Sequence, residues 1–419
     1  MKIFIKLVIE SFLFAWSALR TNILRTVLSL LGVTVGIFSI IGVLTMVDSL
    51  EKSIRDSLDF LGSDVLYLQK MPFVFDNEAP WWIYNRRPNI SFREFELMSE
   101  NLNSVSKIAI FSQTGRQTLK YGNNSISNII LNGGSYEYKD IFDMDIIDGR
   151  YFSTMESESG RDVVILGYKL RLLLFGEENP IGKFIKLKNR KFLVVGTLKE
   201  EGEGFLGNTS EDENAFIPYN SFRKMFSTGS GVVREIGSMI ALKGYPDDVG
   251  LNQLEGEAIG LMRSARGLKP KEDDNFAFNR PEAIGKMLDN IFSVLSKAGW
   301  FIGVFSMLIG GFGIANIMFV SVKERTNIIG IQKSLGAKNY FILFQFLFES
   351  IFLSVLGGFG GLFLVFMLSF LPMGSMDLVL SFKNIALGLS VSSVIGIVSG
   401  IIPAALAARM DPVTAIRTA

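Results

Sequence analysis

The side chains open to chemistry in this chain are carboxylates, lysines and hydroxyls, because its 419 residues include neither histidine nor cysteine. That composition excludes a Ser-His-Asp triad, a cysteine nucleophile, a zinc-finger site and a disulfide framework. Serine–lysine and carboxylate hydrolysis are the catalytic chemistries it leaves open. A phosphate loop needs Gly-x-x-x-x-Gly-Lys followed by a hydroxyl, so that backbone N–H groups and the lysine can cradle the phosphates. Gly182-Lys183 and Gly285-Lys286 lack both the upstream glycine and the following hydroxyl. The acidic run Glu200-Glu201-Gly202-Glu203-Gly204, with Glu211-Asp212-Glu213 beyond it, offers oxygens of the kind calcium takes. It lacks the ligand spacing of an EF-hand and reads as a solvated loop. Trp81 and Trp82 follow Pro80 and read equally as an exposed docking patch or a packed core pair. With 42 basic against 41 acidic residues the net charge is +1, without the basic excess of a nucleic-acid binder.

The most telling stretch runs from Lys323 through Glu324, Arg325, Thr326 and Asn327 to Leu335-Gly336-Ala337. It is short and basic, and Ile328, Ile331 and Leu335 recur as one apolar stripe at helical spacing. A helix of this kind, held between two apolar segments, is shaped to press on a soluble partner; the competing reading is an ordinary basic loop. Glu324, Arg325, Ile328, Gly330, Ile331, Leu335 and Gly336 are the candidate coupling residues. Glu349 is a lone charge in an apolar stretch, so it should face a helix bundle or polar cavity, as a structural contact or as a relay. Glycines four apart, Gly32 and Gly36, Gly357 and Gly361, Gly396 and Gly400, let helices approach closely in lipid. They predict tight helix packing, with a dimer seam as one version of it.

The elements that must position these residues are membrane spans. A mean hydropathy of +0.34 beside 20% charged residues requires apolar and charged residues to be segregated. Four apolar segments are each long enough for a bilayer, which takes about 20 residues: Val27–Val47, Ala298–Val322, Tyr340–Phe370 and Ile385–Ala408. Lys2, Lys6, Arg20, Arg25, Lys323, Arg325, Lys333, Lys338, Arg409 and Arg417 all fall on one side of this layout, which makes that side cytoplasmic. Both termini and loop 323–339 are then cytoplasmic, and residues 48–297 lie outside. The first span reads as an uncleaved anchor. Before it, Ile5, Val8, Ile9, Phe12, Trp16 and Leu19 share a helical face opposite Lys2, Lys6 and Glu10, as in a helix lying at the membrane surface. The start of a longer first helix is the alternative. The charge divides accordingly: residues 48–297 hold 31 Lys+Arg and 36 Asp+Glu, the remainder 11 and 5.

The outer segment has mixed α/β grammar. Asp64–Gln69 alternates like a strand, and Ser91-Phe92-Arg93-Glu94 is a capping box opening a helix to about Leu102. A strand over Lys107–Phe111 follows. Ser238–Leu242 reads as strand, Asp247–Arg266 as helix and Phe276–Phe278 as strand. Two β-α-β units thus bracket a β-rich lobe inserted between them. The expected organisation is an amphipathic helix over 1–22, spans at 23–47, 298–322, 340–370 and 385–408, a coupling loop at 323–339 and a tail at 409–419. The outer domain, 48–297, divides into an α/β lobe (48–128 and 235–285) and the inserted lobe (129–234).

The loop resembles the Glu-Arg-Thr-x-Glu-Ile-Gly-x-x-x-x-x-Gly-Ala signature of MacB/FtsX-type ABC transporter permeases. Further likenesses span the chain: Leu24-Arg25-Thr26-x-Leu28-Ser29-x-Leu31-Gly32-Val33 at the first span, Gly149-Arg150-Tyr151-Phe152 and Asn179-Pro180-Ile181-Gly182-Lys183 outside. Gln345-x-x-x-Glu349 with Gly357-Gly358 resembles the third span, and Asp411-Pro412-Val413-x-Ala415-Ile416-Arg417 the tail. Many members carry a carboxylate where this chain has Ile328, which strengthens the apolar stripe at the expense of a charged contact. The resemblance implies a bacterial inner-membrane permease, a homodimer or a heterodimer with a similar chain, bound to a cytoplasmic ABC ATPase that holds ATP and magnesium. No cofactor, catalysis or nucleic acid is expected of the chain itself. A periplasmic adaptor and an outer-membrane channel are further implied partners. ATP-driven closure would be relayed to the outer domain to export or release a drug, peptide or lipoprotein. The alternative is a non-transporting signalling subunit that regulates a periplasmic partner such as a cell-wall hydrolase.

Overall fold

The computed structural model describes residues 23–56, 62, 64–75, 80–201, 211–229, 235–371 and 378–417. The surface helix expected over 1–22 and the centre of the acidic run lie outside the described residues. Helix α1 (Ile23–Asp56) leads to strand β1 (Val65–Gln69), and short helices α2 (Trp81–Asn85) and α3 (Phe92–Asn101) follow. Next come the long hairpin β2 (Val105–Tyr121) and β3 (Asn124–Gly134), then α4 (Tyr138–Ile141), β4 (Ile146–Gly149) and α5 (Thr154–Ser159). Strand β5 (Val163–Leu166), α6 (Tyr168–Phe175), β6 (Phe184–Leu187), β7 (Arg190–Leu198), β8 (Asn214–Pro218) and α7 (Tyr219–Met225) complete the inserted region. The outer segment closes with β9 (Ser238–Gly244), α8 (Asn252–Ala265) and β10 (Ala277–Asn279). Four helices end the chain: α9 (Pro281–Glu324), α10 (Thr326–Ser334), α11 (Asn339–Leu368) and α12 (Phe382–Arg409), with a short α13 (Pro412–Arg417) after them.

Two compact units emerge, one of residues 54–289 and one of residues up to 53 and from 290 onward. In the second, α1, α9, α11 and α12 are each long and apolar enough to cross a membrane. This is a membrane protein with a large extracytoplasmic domain. Helix α9 has 44 residues, about 66 Å at 1.5 Å per residue, roughly twice a ~30 Å hydrocarbon core. The span expected at 298–322 is therefore part of a helix that starts at Pro281, where the ring suits the first helical position and Glu282 favours the helix dipole. Hydropathy alone places the boundary near Lys297, because Glu282, Lys286, Asp289 and Lys297 interrupt the apolar run without interrupting the helix. Likewise α1 continues to Asp56, past the expected end at Val47.

Glycine governs how the spans pack. A methyl built on Gly32 would stand 3.4 Å from the Gly310 Cα, and one on Gly36 3.2 Å from the Ser306 carbonyl. Ile40 fills the space above Gly303, and Val43 that above Gly299. Helices α1 and α9 thus meet along a row stepping by three and four residues. Gly357 and Gly361 seat α11 on α1, against Val33 and against the Thr34 carbonyl. Gly396 and Gly400 seat α12 on α11, against Ile351 and Ser350. All six glycines singled out in the sequence face helices of this same chain, where their lack of a side chain lets backbones touch. Val33, Ile37, Ile40, Ile41, Met318 and Phe346 form the centre of the resulting core.

The outer unit is built on one ten-stranded sheet in the order β10-β1-β9-β2-β3-β8-β5-β7-β4, with β6 pairing β2 and β7. Its first four strands are two interleaved β-α-β crossovers, β1-α3-β2 and β9-α8-β10, because β9 separates β1 from β2 and β1 separates β9 from β10. Leu66, Leu68 and Leu242 of the sheet bury against Met98 of α3 and Leu254, Ala258 and Met262 of α8. The region expected as a separate β-rich lobe continues the same sheet and carries helices α4 to α7. The link is β2, whose first half pairs β9 and whose second half pairs β3. Sequence reading stops this strand at Phe111, since Ser112 to Gln117 is polar and looks like a turn. Those residues instead form a bulged stretch in which Arg116 takes φ 58°. On the opposite face, Tyr67, Ala109 and Ala241 share a core with Ile165, Val195 and Phe216, joining both halves.

Candidate coupling interface

The segment between α9 and α11 forms a compact platform rather than a loose loop. Helix α9 stops at Glu324, and Arg325 alone (φ −106°, ψ 13°) breaks it from α10. Thr326 Oγ1 donates to the Lys323 carbonyl at 2.9 Å, satisfying an end group of α9. Helix α10 closes in a Schellman motif: Ala337 N–H donates to the Gln332 carbonyl and Gly336 N–H to that of Lys333, both at 3.0 Å. Gly336 takes φ +96°, which explains the Gly-Ala that ends the loop.

The faces of α10 divide sharply. Ile328, Ile331 and Leu335 are 46%, 49% and 84% exposed, so the apolar stripe is intact and uncovered in this chain. Ile329 and Gly330 are buried on the other side. There a methyl on Gly330 would lie 3.0 Å from the Ala415 Cβ, so the glycine lets α13 pack directly on α10. Gly330 was expected among the coupling residues; its position is on the packed face, not the exposed one. Glu324 is exposed where α9 ends. Val413 and Ile416 of α13 add further exposed apolar surface.

Arg325 also departs from expectation. Its guanidinium turns inward and pairs with Glu349 of α11, Nη1 to Oε2 at 3.1 Å, with side chains 16% and 5% exposed. Ser321 Oγ donates to the other carboxylate oxygen at 3.4 Å. The intramembrane charge is thus met by a cation one helix away, which satisfies the requirement that buried charges be paired. The two residues stand 24 positions apart in the chain, and only packing of α11 beside α10 brings them together. Lys333, in sequence one of the basic residues of the loop, has a structural partner as well. Its ammonium donates to the carbonyls of Ala408 and Met410, both at 2.7 Å, at the C-terminus of α12.

In the outer unit, Trp81 and Trp82 are 60% and 54% exposed and meet edge to face at 6.1 Å, an exposed aromatic pair rather than a core one. At the ends of the acidic run, Asp212 accepts from the Glu201 N–H at 3.0 Å and Glu201 accepts from that of Glu211 at 3.3 Å. Burial, then the neighbouring Glu201 and Asp212, push the Glu211 carboxyl up to about 8.

Comparison with known proteins agrees with this architecture. A family model for the MacB-like periplasmic core domain matches residues 26–257, and one for the FtsX-like permease C-terminal region matches 300–412. The chain is 30% identical over 405 residues to a pyoverdine export ATP-binding/permease protein of Pseudomonas aeruginosa, covering 96% of this chain and 58% of that one. It is 28% identical over 404 residues to a macrolide export ATP-binding/permease protein of Marinobacter nauticus, covering 95% and 59%. The chain therefore spans somewhat over half the length of these curated relatives. Among solved structures, the periplasmic region of MacB from Actinobacillus actinomycetemcomitans is similar at 18% identity and a TM-score of 0.44, covering 56% of this chain and 96% of that one. Since one family model alone covers more than half of its length, the chain belongs to the MacB/FtsX-type permease family.

Proposed function

We propose that this chain is the permease of an ABC transporter, anchored in the bacterial inner membrane with its termini and α10 in the cytoplasm. The observation that carries the reading is the exposed stripe of Ile328, Ile331 and Leu335, on a helix whose other side buries Ile329 and Gly330. Three large apolar side chains held in water on a rigid helix are stabilised when a partner covers them. In a MacB/FtsX-type permease the fitting partner is a cytoplasmic ATPase, and the sequence contains no phosphate loop that would bind ATP within these 419 residues. ATP hydrolysis by that ATPase drives α10, and the movement passes through the spans to the extracytoplasmic domain, which exports or releases its substrate. The permease acts as a dimer, with itself or a similar chain, and itself performs no catalysis. The relatives' names supply the substrates to test first, pyoverdine and macrolides.

The deciding experiment is affinity purification of the tagged full chain from native membranes, with ATP hydrolysis measured in the eluate. Ile331→Asp with Leu335→Asp should abolish ATPase co-elution while leaving the chain in the membrane. Undiminished co-elution would refute docking through α10. Transport by reconstituted vesicles then separates export from a purely signalling role.

A further inference from the structure

Helix α10 is tied down at both ends by charged contacts to the helices that follow it in the chain. At its N-terminus Arg325 is paired with Glu349 of α11. At its C-terminal end the Lys333 ammonium bonds the last carbonyls of α12 through Ala408 and Met410. Helices α11 and α12 are themselves closely joined: Gly396 lies on the Ile351 Cα, Ser350 fills the space over Gly400, and Ser354 Oγ donates to the Ser392 carbonyl at 2.5 Å. Helix α13, the continuation of α12, packs on Gly330. Toward α9 the chain passes through one non-helical residue, Arg325, whose N–H donates to the Ser321 carbonyl at 3.1 Å; Thr326 Oγ1 donates to the Val322 and Lys323 carbonyls at 3.2 and 2.9 Å, and Ser321 Oγ to Glu349 at 3.4 Å.

We infer that α10 moves as one body with the third and fourth spans, with Arg325 and Lys333 as its positioning residues, and that it hinges against the second span at Arg325. This rests on the reading of α10 as the ATPase-docking helix, and assigns the spans that first receive its push. Guanidinium–carboxylate and ammonium–carbonyl contacts shielded from water resist shear better than apolar contacts, because sliding leaves charge unpaired in a low-dielectric setting. The backbone and hydroxyl hydrogen bonds across the break at Arg325 are uncharged and lie within one helical turn, so water can replace them as the hinge opens.

The chain has no native cysteine, so spin labels can be introduced pairwise into the full chain in lipid nanodiscs with its co-purified ATPase. Asn327→Cys on α10, Phe382→Cys at the far end of α12 and Phe301→Cys on α9 all occupy exposed positions. On trapping with ATP and vanadate, the 327–301 distance should shift by more than about 2 Å, the scale of helix movements at packed interfaces, while 327–382 stays within it. A 327–382 shift as large as the 327–301 shift overturns the inference. A second arm needs no nucleotide. Arg325→Gln with Glu349→Gln and Lys333→Gln removes both clasps without leaving a lone buried charge, and should broaden the 327–382 distribution at least about twofold. Arg325→Lys with Lys333 intact should keep the original width. An unchanged width in the triple variant also overturns the inference. If ATP moves neither distance, the docking reading fails, and the nucleotide-free arm still decides the clasps.

Discussion

Gly361→Ala tests whether the membrane unit is held by backbone contact rather than by side-chain volume alone. A Cβ on Gly361 would lie 2.8 Å from the Thr34 carbonyl oxygen and 2.9 Å from both the Ile37 Cβ and the Phe38 nitrogen. Two of those three atoms belong to the α1 backbone, so no rotamer change can make room. Carbon contacts are most favourable near 3.5–4 Å, so α1 and α11 must separate by roughly 0.6–1 Å, forfeiting a quarter to a half of their contact energy along that row. Overpacking of this kind costs about 1–3 kcal/mol. The matched control is Gly42→Ala, also mid-helix in α1, whose new Cβ would meet only a Val365 methyl at 3.9 Å. There the ~1 kcal/mol helical preference for alanine over glycine is unopposed. Both positions are mid-helix and gain that preference alike, so the two variants should differ by the overpacking cost, about 1–3 kcal/mol, with Gly361→Ala the less stable. Thermal unfolding of the purified chain in nanodiscs, followed by tryptophan fluorescence, reads both. A Gly361→Ala midpoint at or above that of Gly42→Ala would refute the close-packing argument.

Three further outcomes are expected. Glu211, pushed up to about 8 by burial and by Glu201 and Asp212, keeps its proton to higher pH folded than unfolded, so stability is fullest below the ordinary carboxylate range and declines as pH rises toward 8. Glu211→Gln should flatten that decline in melts from pH 5 to 8.5, and an unaltered slope would count against the assignment. Ser91→Ala removes a capping box in which Ser91 Oγ accepts from the Glu94 N–H and the Glu94 carboxylate from the Ser91 N–H, and should cost about 1 kcal/mol in denaturant unfolding. Gly330→Val should push α13 off α10 and open the adjacent Arg409 to trypsin in inside-out vesicles, whereas Ile331→Val should not.

Much of this protein was legible because hydrocarbon thickness and helical periodicity are local constraints. The four spans, the i, i+3, i+7 stripe on α10 and the capping box of α3 are each decided within about twenty residues. The helical extensions beyond the outer ends of α1 and α9 were not legible, since a helix persists through charged residues that end a hydropathic run. Nor was the single sheet, because the polar centre of β2 looks like a turn until β9 and β3 pair with either half. The same contrast runs through the coupling segment. Composition by itself determined that the chain lacks histidine and cysteine chemistry, and the positions of lysine and arginine set the expectation of which loops share a side of the membrane. Only the tertiary structure decided that Arg325 meets Glu349, that Lys333 reaches the end of α12 and that Gly330 is buried while Ile331 beside it is not. Those contacts join positions 24 to 85 residues apart, from Arg325–Glu349 to Gly330–Ala415, and a pairing over that separation depends on how the helices pack, which no local pattern of residues records.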